Sequence, residues 1–595
     1  MLHFIVLILR YPDRTSRAMY TTQDSISAPD SSVYNLFPEF EINRIETWIF
    51  DDPFATREVN IRTFEGPDIP SHWVVLVDAD ARLAEEAQAD DYKNMIVRAA
   101  MTLHLGKAQQ PRPIPGDLAD RQNIARAGRQ RPTPSTSGSL SYLIENQQSA
   151  RLDALYNHCP PYLRPPPVTL YFYGFRKFRQ TMRTSSDELE FTSDELCAAA
   201  SFTSVSLRLF QTEDYRQKAL HKLDLLDKAG RQGGFWRKMH VESAVLDGGF
   251  FTRHQHTDLP ISFGAQKNNV GISNTNPVHQ AMSGYVTAWS STDRAFIWER
   301  SCCPGLIIGS HAQGIEVWGG VFADRFYFQP LATLPFGPSE PKQDSVHRSP
   351  YARGIREVAQ LLRAVDDCID DIQLHFADVS SGVPPTTTSS AGETTAQSIF
   401  PDWTTVTIDG VTCELVYFRR LAPDDKAKSI FLAHVRLDGQ NDTTVVVKFA
   451  HTYSIKVHRF LAAKQRAPRL HFCEFVTELQ MFVAIMDFVD VQDLYTVGKL
   501  TEQQYTNLET AMGLLKKGSY VLGDLRAPNI LVSGDQELWI VDFDWAGKEG
   551  EVFYPEDINA DLDEWAPGVG PGGKIESAHD NYSLNNLKHK YCSRR

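Results

Sequence analysis

Four residues in the last third of the chain have the types that chemistry on a phosphate group requires. Asp524, Asn529 and Asp542 lie in the stretch GDLRAPNILVSGDQELWIVDFDW, and Lys448 lies near the end of TTVVVKFA. Carboxylate and amide oxygens are the ligands that Mg²⁺ prefers, and a lysine ammonium can neutralise phosphate oxygens. Each residue taken alone is more typical of a turn or of a solvated surface. The four together are the set that phosphoryl transfer needs.

The segments around these residues predict a sheet followed by helices. Alternating and β-branched residues predict strands in TTVTIDG, CELVYFRRL, KSIFLAHVRL and TTVVVKFA. HTYSIKVHRFLAAKQRAP predicts a helix, and EFVTELQMFVAIMDFV predicts two further strands. LTEQQYTNLETAMGLLKKG predicts a second helix, with Thr501 and Gln504 as a capping box and Gly518 in the left-handed position. A short hairpin after that helix would carry Asn529 and Asp542 to one metal ion.

This order of elements and motifs resembles the protein kinases. GDLRAPN is similar to the kinase catalytic loop, and VDFDW is similar to the Asp-Phe-Gly motif. The resemblance implies that Asp524 is the catalytic base, that Asn529 and Asp542 hold Mg²⁺, and that Lys448 contacts the phosphates of ATP. ATP and Mg²⁺ are therefore the implied cofactors.

A narrower resemblance is to fungal kinase-like proteins related to crinkler-type effectors. The motifs that carry it are GDLRAPNIL and DFDWAGKEGEVFYP, and it covers roughly residues 400–580. In that group the kinase-like part often follows a degenerate nuclease-like domain.

Four departures from the kinase pattern bear on catalysis. The segment LAPDDKAKSIFLAHV has no glycine where the glycine-rich loop is expected. Residues 449–473 contain no Asp or Glu, and Lys456 stands where the acid that pairs with the phosphate-binding lysine is expected. Leu522 replaces the loop histidine, and Asp544 replaces the last glycine of Asp-Phe-Gly. Residues 545–595 are too few for a peptide-docking lobe of ordinary size, so a truncated C-terminal lobe is expected.

Two functions of different classes stay open on this evidence. The first is an enzyme that transfers phosphate from ATP to a hydroxyl of a protein or a small molecule. The second is a catalytically inactive pseudokinase that serves as a scaffold or binding module, fused to an inactive nuclease-like domain. The retained set of four favours the first, whereas the missing helix acid and glycines favour the second.

The segment HTDLPISFGAQKNNVGISNTNPVHQAMSGYVTAW resembles the core of restriction-endonuclease-like domains. The resemblance implies that Lys267 is the site lysine, that Gln280 is the helix residue, and that Asp258 or Asp247 is the first acid. Ala265 stands where the second acid of that motif is expected. An inactive nuclease-like scaffold is therefore favoured over an active nuclease, and an unrelated α/β domain is the alternative.

The whole chain is predicted to be a multidomain α+β protein. The expected parts are an N-terminal α/β segment of unknown role (1–106), a disordered linker (107–138), the nuclease-like α/β domain (139–376), a second disordered linker (377–398) and the kinase-like domain (399–595). The linkers are rich in Pro, Ser, Thr and Gly and poor in large apolar residues. In the N-terminal segment, HWVVLVDADA predicts a strand and DYKNMIVRAAMTLHLGK predicts a helix.

Composition limits the class of protein and of partner. The 595 residues are 42% apolar and 23% charged, the balance of a soluble globular protein. A net charge of -14 does not favour a nucleic-acid coat, so a nucleotide and an unknown acceptor are the expected partners.

The eight cysteines include no CxxC pair, which favours an intracellular location, cytoplasmic or nuclear. MLHFIVLILR predicts a strand or a chain end rather than a signal peptide, and no membrane span is predicted.

Overall fold

The computed structural model describes residues 2–10, 16–22, 40–55, 95–108, 116–228, 231–241, 244–254, 257–268, 275–340, 349–381, 397–436, 442–559 and 565–592. The chain divides into two compact units, Met1–Ile114 and Pro115–Arg595. The second unit carries all the candidate site residues. Among the residues described, no helix is both long and apolar enough to cross a bilayer.

The described part of the first unit is one sheet of four strands, β1 (Leu2–Arg10), β2 (Ser16–Thr22), β3 (Phe40–Ala55) and β4 (Met95–Ala108). The strand order is β2-β1-β4-β3, with β1 and β4 parallel. MLHFIVLILR is thus a strand, as one of its two interpretations proposed. The helix predicted in residues 91–107 is wrong, because β4 pairs along both edges and this pairing outweighs local helix preference. The run HWVVLVDADA lies outside the described residues.

The second unit begins with a helix where a disordered linker was predicted. Helix α1 spans Gly116–Arg129, and Ile124 and Ala125 are fully buried. The buried Arg121 guanidinium donates hydrogen bonds to the carbonyl oxygens of Ser301, at 3.0 Å, and Phe322. The linker prediction for 107–138 is therefore wrong from residue 116 onward. Composition predicted a solvated linker, whereas the fold buries one of its arginines and supplies acceptors for it inside the core.

The middle part, residues 116–381, contains α1 and eight further helices in the described chain. These are α2 (Pro134–Ser137), α3 (Leu140–Asn146), α4 (Tyr173–Arg183), α5 (Ser193–Ser206), α6 (Glu213–His221), α7 (Pro277–Trp289), α8 (Ala295–Trp298) and α9 (Pro350–Ser381). Its strands are β5 (Leu155–Tyr156), β6 (Gln232–Gly234), β7 (Met239–Val241), β8 (Ala244–Leu246), β9 (Gly249–His254), β10 (Thr257–Pro260), β11 (Ser262–Gln266), β12 (Gly305–His311), β13 (Gly314–Phe322) and β14 (Phe326–Pro335).

Three sheets organise the middle part: β11-β12-β13-β14-β5, β10-β9-β6 and β7-β8. Helix α7 is almost entirely buried, with Tyr285 and Trp289 fully enclosed. Val168–Leu170 forms a 3₁₀ turn that leads into α4. Helix α9 continues to Ser381, so the second predicted linker starts later than residue 377, and residues 382–396 lie outside the described chain.

The C-terminal part, residues 397–592, opens with an antiparallel sheet that confirms the predicted strands. The strands are β15 (Thr405–Ile408), β16 (Val411–Arg420), β17 (Ser429–Arg436), β18 (Asp442–Ala450), β19 (Leu470–Val476) and β20 (Met481–Asp487), in the order β15-β16-β17-β18-β20-β19. Helix α10 (Ile455–Ala462) connects β18 to β19. One face of the sheet, which carries Val445 and Val447, shares a single hydrophobic core with the middle part.

A second hydrophobic core joins the opposite face of that sheet, at Ala484 and Met486, to residues of the remaining elements. These elements are β21 (Gln492–Asp493), α11 (Leu494–Val497), α12 (Glu502–Lys517), β22 (Tyr520–Val521), β23 (Ile530–Ser533), β24 (Glu537–Ile540), β25 (Gly547–Lys548) and α13 (Ser577–Tyr591). The capping box of Thr501 and Gln504 at the start of α12 is confirmed. Gly518 is not left-handed, with φ -81°; the next residue, Ser519, has φ 56° instead.

Candidate functional site

A short hairpin brings Asn529 and Asp542 together. Strands β23 and β24 pair so that Ile530 lies opposite Ile540, and the Val541 amide donates a hydrogen bond to the Asn529 carbonyl at 3.0 Å. Asn529, just before β23, and Asp542, just after β24, therefore lie side by side at the open end of the hairpin. Asp542 has φ 68°, a backbone conformation that is uncommon for a residue with a side chain, although Asp adopts it more readily than most.

Lys448 lies between two carboxylates at this end of the hairpin. Its ammonium is 2.8 Å from Asp542 Oδ1 and 2.6 Å from Asp544 Oδ1. Register places Lys448 opposite Ala484 in the middle of the C-terminal sheet, and only 8% of its side chain is exposed. Helix α10 supplies no acid to pair with Lys448. Asp544 is the second acidic partner of Lys448 instead.

Burial and this three-charge cluster set the ionisation of each member. Burial raises the pKa of the Asp544 carboxyl to about 7, and Asp542 adds to the effect while Lys448 opposes it. Burial also disfavours the charged forms of Asp542 and Lys448. The attraction between these two groups outweighs that cost, so that the pKa of Asp542 is lowered and the pKa of Lys448 is raised.

Both oxygens of the buried Asp524 carboxylate accept hydrogen bonds. Arg526 donates to Oδ1 through Nε and to Oδ2 through Nη2, the latter at 2.7 Å. Asn529 Nδ2 donates to Oδ2 at 2.9 Å and to the Asp524 carbonyl at 3.0 Å. The bonds fix the carboxylate in one orientation, but a substrate hydroxyl would compete with Arg526 for it. Arg526 is the arginine of the GDLRAPN motif, and the sequence alone predicts no role for it.

Asp580 on α13 holds the loop that carries Asp524, and no local sequence pattern predicts this contact. Its carboxylate accepts hydrogen bonds from the backbone amides of Leu522, at 2.7 Å, and Gly523, at 2.9 Å. Burial raises the pKa of this carboxyl to about 6, although the two amides oppose the shift. Gly523 has φ 79°, and a Cβ there would lie 2.9 Å from Ile575, so the position favours glycine on two grounds.

A second missed residue is His458 on α10. Its ring stacks on Phe543, with 4.4 Å between ring centroids, and so supports the residue between Asp542 and Asp544. Tyr453 Oη lies 2.7 Å from Nδ1, and the Pro468 carbonyl lies 2.9 Å from Nε2. Burial lowers the pKa of His458 to about 4, so the neutral ring donates from Nε2 and accepts from the tyrosine. Helix α10 therefore contacts the site through a ring rather than a carboxylate.

The structure separates the nuclease-like candidates that the sequence grouped. Asp258 lies on β10 and pairs with Arg253 at 2.8 Å, whereas Lys267 follows β11 in a different sheet. Of the two acids that the sequence leaves open, Asp258 therefore lies in a different sheet from the strand that precedes Lys267. The other acid, Asp247, lies beside the end of β11, because its Oδ2 accepts a hydrogen bond from the backbone amide of Gln266 at 3.0 Å.

Lys267 itself pairs with Glu213 of α6 at 3.1 Å. Burial raises the pKa of Asp247, with Lys267 opposing the shift. Gln280 is buried on α7, and its Oε1 has no hydrogen-bond partner among the described residues. Ala265 is fully buried. Within the described ranges, no group of three His, Cys, Asp or Glu side chains is arranged to hold a metal ion.

Comparison with known proteins gives one weak structural similarity. No protein-family description matches the chain, and no curated protein matches it either. Among solved structures, the chain is similar to the Cydia pomonella granulovirus kinase PK-1, with 18% sequence identity and a TM-score of 0.24. The similarity covers 29% of this chain and 67% of the viral kinase chain.

Proposed function

We propose that residues 399–595 form a kinase-like domain that binds ATP with Mg²⁺ and transfers phosphate to a hydroxyl of a protein or a small molecule. The observation that carries the proposal is the convergence of Lys448, Asp542 and the Asp524–Asn529 pair at the open end of one hairpin. Lys448 comes from β18, Asp524 and Asn529 precede strand β23, and Asp542 follows strand β24. They are the residue types that phosphoryl transfer uses.

The donor set fits Mg²⁺. Asn529 and Asp542 offer an amide and a carboxylate oxygen side by side, and hard oxygen ligands are those that Mg²⁺ selects. Bound there, the ion would neutralise charge on the phosphates. Lys448 would exchange one carboxylate for a phosphate oxygen while the other kept it in place. Asp524 would orient the acceptor hydroxyl once Arg526 had released one of its oxygens.

A pseudokinase that binds nucleotide without transfer is the competing function. Two observations favour it: both oxygens of Asp524 accept hydrogen bonds within the protein, and Lys448 is paired with two acids. The two functions share nucleotide binding and differ in whether phosphate reaches an acceptor.

Nucleotide binding is tested by the thermal stability of the full chain with and without millimolar MgATP. The full chain is needed because β18 faces a core shared with the middle part. A ligand that binds only the folded state must raise the melting temperature, and we expect Asp542→Asn to abolish the increase. Asp535→Asn, an exposed aspartate at the tip of the same hairpin, is the matched control.

No increase for the wild type would refute nucleotide binding. Transfer is read separately, as ADP release and radiolabel incorporation. If Asp524→Asn keeps the thermal response and loses a measurable transfer, the enzyme is supported. If the wild type shows the thermal response but no transfer that depends on Asp524, the pseudokinase is supported.

For the middle part we propose an inactive nuclease-like scaffold. The supporting observations are Ala265 in place of the second acid and the engagement of Lys267 by Glu213. We expect no nicking of supercoiled plasmid by the full chain with Mg²⁺ or Mn²⁺. Nicking that disappears in Lys267→Ala but persists in Lys222→Ala, an exposed lysine outside this contact, would overturn the scaffold proposal.

A further inference from the structure

A cavity that is lined by none of the hairpin residues lies in the second unit. Its volume is about 560 Å³, and none of the four phosphoryl-transfer candidates lines it. One wall comes from the turn between β13 and β14 in the middle part, with Asp324 and Arg325. The facing wall comes from the end of β16 and the turn that follows it, with Arg419, Arg420 and Lys426.

The charge of the inner wall is dominated by cations. Asp324 is paired at once with Lys426, at 2.7 Å, and with Arg420, at 3.5 Å. Burial would raise the pKa of Asp324, but these two cations outweigh it and lower that pKa to about 2. Arg325 and Arg419 add two further positive charges. The other two acids of the lining, Asp120 and Asp424, are exposed at the surface.

Several of these cationic donors have no acceptor among the described residues. The Nε atoms of Arg325 and Arg420 are buried without a hydrogen-bond partner. Arg419 is exposed, and its described contact is with the ring of Phe488, 5.8 Å from the centroid. Arg419 is the cation of this lining with an exposed side chain and no described acceptor, so an anion in the cavity can accept a charge-assisted hydrogen bond from it.

The rest of the lining is apolar and aromatic, with Ile399, Phe400 and Phe431 beside the charged wall. The volume lies within the range of sites that hold small organic ligands. We propose that this cavity binds a phosphate monoester, with the phosphate on the arginines and an organic group against the aromatic side chains. The planar fork of arginine matches phosphate geometry, which favours phosphate over a simple halide ion.

The test is calorimetric titration of the full chain, without Mg²⁺, with inorganic phosphate, ribose 5-phosphate and AMP. We expect binding of at least one probe and a weakening of at least about tenfold in Arg419→Ala, as for loss of a charge-assisted hydrogen bond. Arg419→Glu should weaken it further. Arg419 makes no described ion pair, so these variants should fold, and their melting temperature without ligand verifies it.

Two controls separate this cavity from the hairpin site. Arg469→Ala, an exposed arginine outside the cavity, and Asp542→Asn should leave the affinity unchanged. Free phosphate binding as tightly as the esters supports the anion site and assigns it to the free ion. The proposal is overturned if no probe binds at about 5 mM, a weaker level than most specific small-molecule sites show. It is also overturned if binding persists in Arg419→Glu or is lost only in Asp542→Asn.

Discussion

Lys448→Met is expected to lower the free energy of unfolding by about 3–5 kcal/mol at pH 8. The variant leaves the carboxylates of Asp542 and Asp544 close together and mostly buried, without the ammonium that lies 2.8 and 2.6 Å from them. Breaking a buried ion pair by removing one partner costs this much because the remaining charge is uncompensated. Urea unfolding of the full chain measures the change.

The loss should depend on pH in a defined direction. Asp544 already has a pKa of about 7 in the folded protein, above its ordinary value, and removal of Lys448 raises it further. When folding raises the pKa of an acid, the free energy of unfolding of the protein falls as the pH rises from the unfolded pKa, about 4, through the folded pKa. At pH 5 the carboxyls of the variant take up protons, so the difference from wild type should shrink to about 1 kcal/mol.

Lys456→Met is the matched control, because Lys456 is an exposed lysine on the adjacent helix α10. It should change stability by less than about 0.5 kcal/mol at either pH. Adding Asp544→Asn to Lys448→Met should recover part of the loss, since one of the two uncompensated acids is removed. Equal losses at pH 5 and pH 8 would show that Lys448 contributes by packing rather than by charge.

Asp580→Ala is expected to destabilise the C-terminal part by about 2–5 kcal/mol and to abolish any phosphate transfer. The variant removes the acceptor of two backbone amides, those of Leu522 and Gly523, and each unsatisfied buried donor costs about 1–3 kcal/mol. The same amides set the path of the loop that leads into Asp524. Thermal unfolding and hydrogen exchange at residues 520–526 report the two effects.

Two variants on the same helix make this test specific. Asp580→Asn keeps one acceptor oxygen and should lose roughly half as much stability as the alanine variant. Asn581→Ala changes an exposed neighbour and should be silent. If the amides of residues 520–526 exchange no faster in Asp580→Ala than in the wild type, the proposal that Asp580 holds this loop is wrong.

Local patterns predicted the scaffold of the C-terminal part well. Strand alternation located the sheet from β15 to β20, and the capping box located the start of α12. The spacing of Asn529 and Asp542 predicted a hairpin that brings them side by side. Each of these features depends on residues close in sequence, where backbone preference and side-chain period act directly. The same method failed at β4 and α1, where long-range pairing and burial decided the outcome.

By itself, the sequence determined which residues could act on a phosphate group and the order of strands and helices that presents them. Only the tertiary structure decided their partners. Asp544 rather than a helix acid pairs with Lys448, and Asp580 holds the loop from far along the chain. The arginine-lined cavity is built by turns about 100 residues apart, as the Asp324–Lys426 pair shows. A buried ion pair depends on the surroundings of both groups, and no local pattern of residues encodes those surroundings.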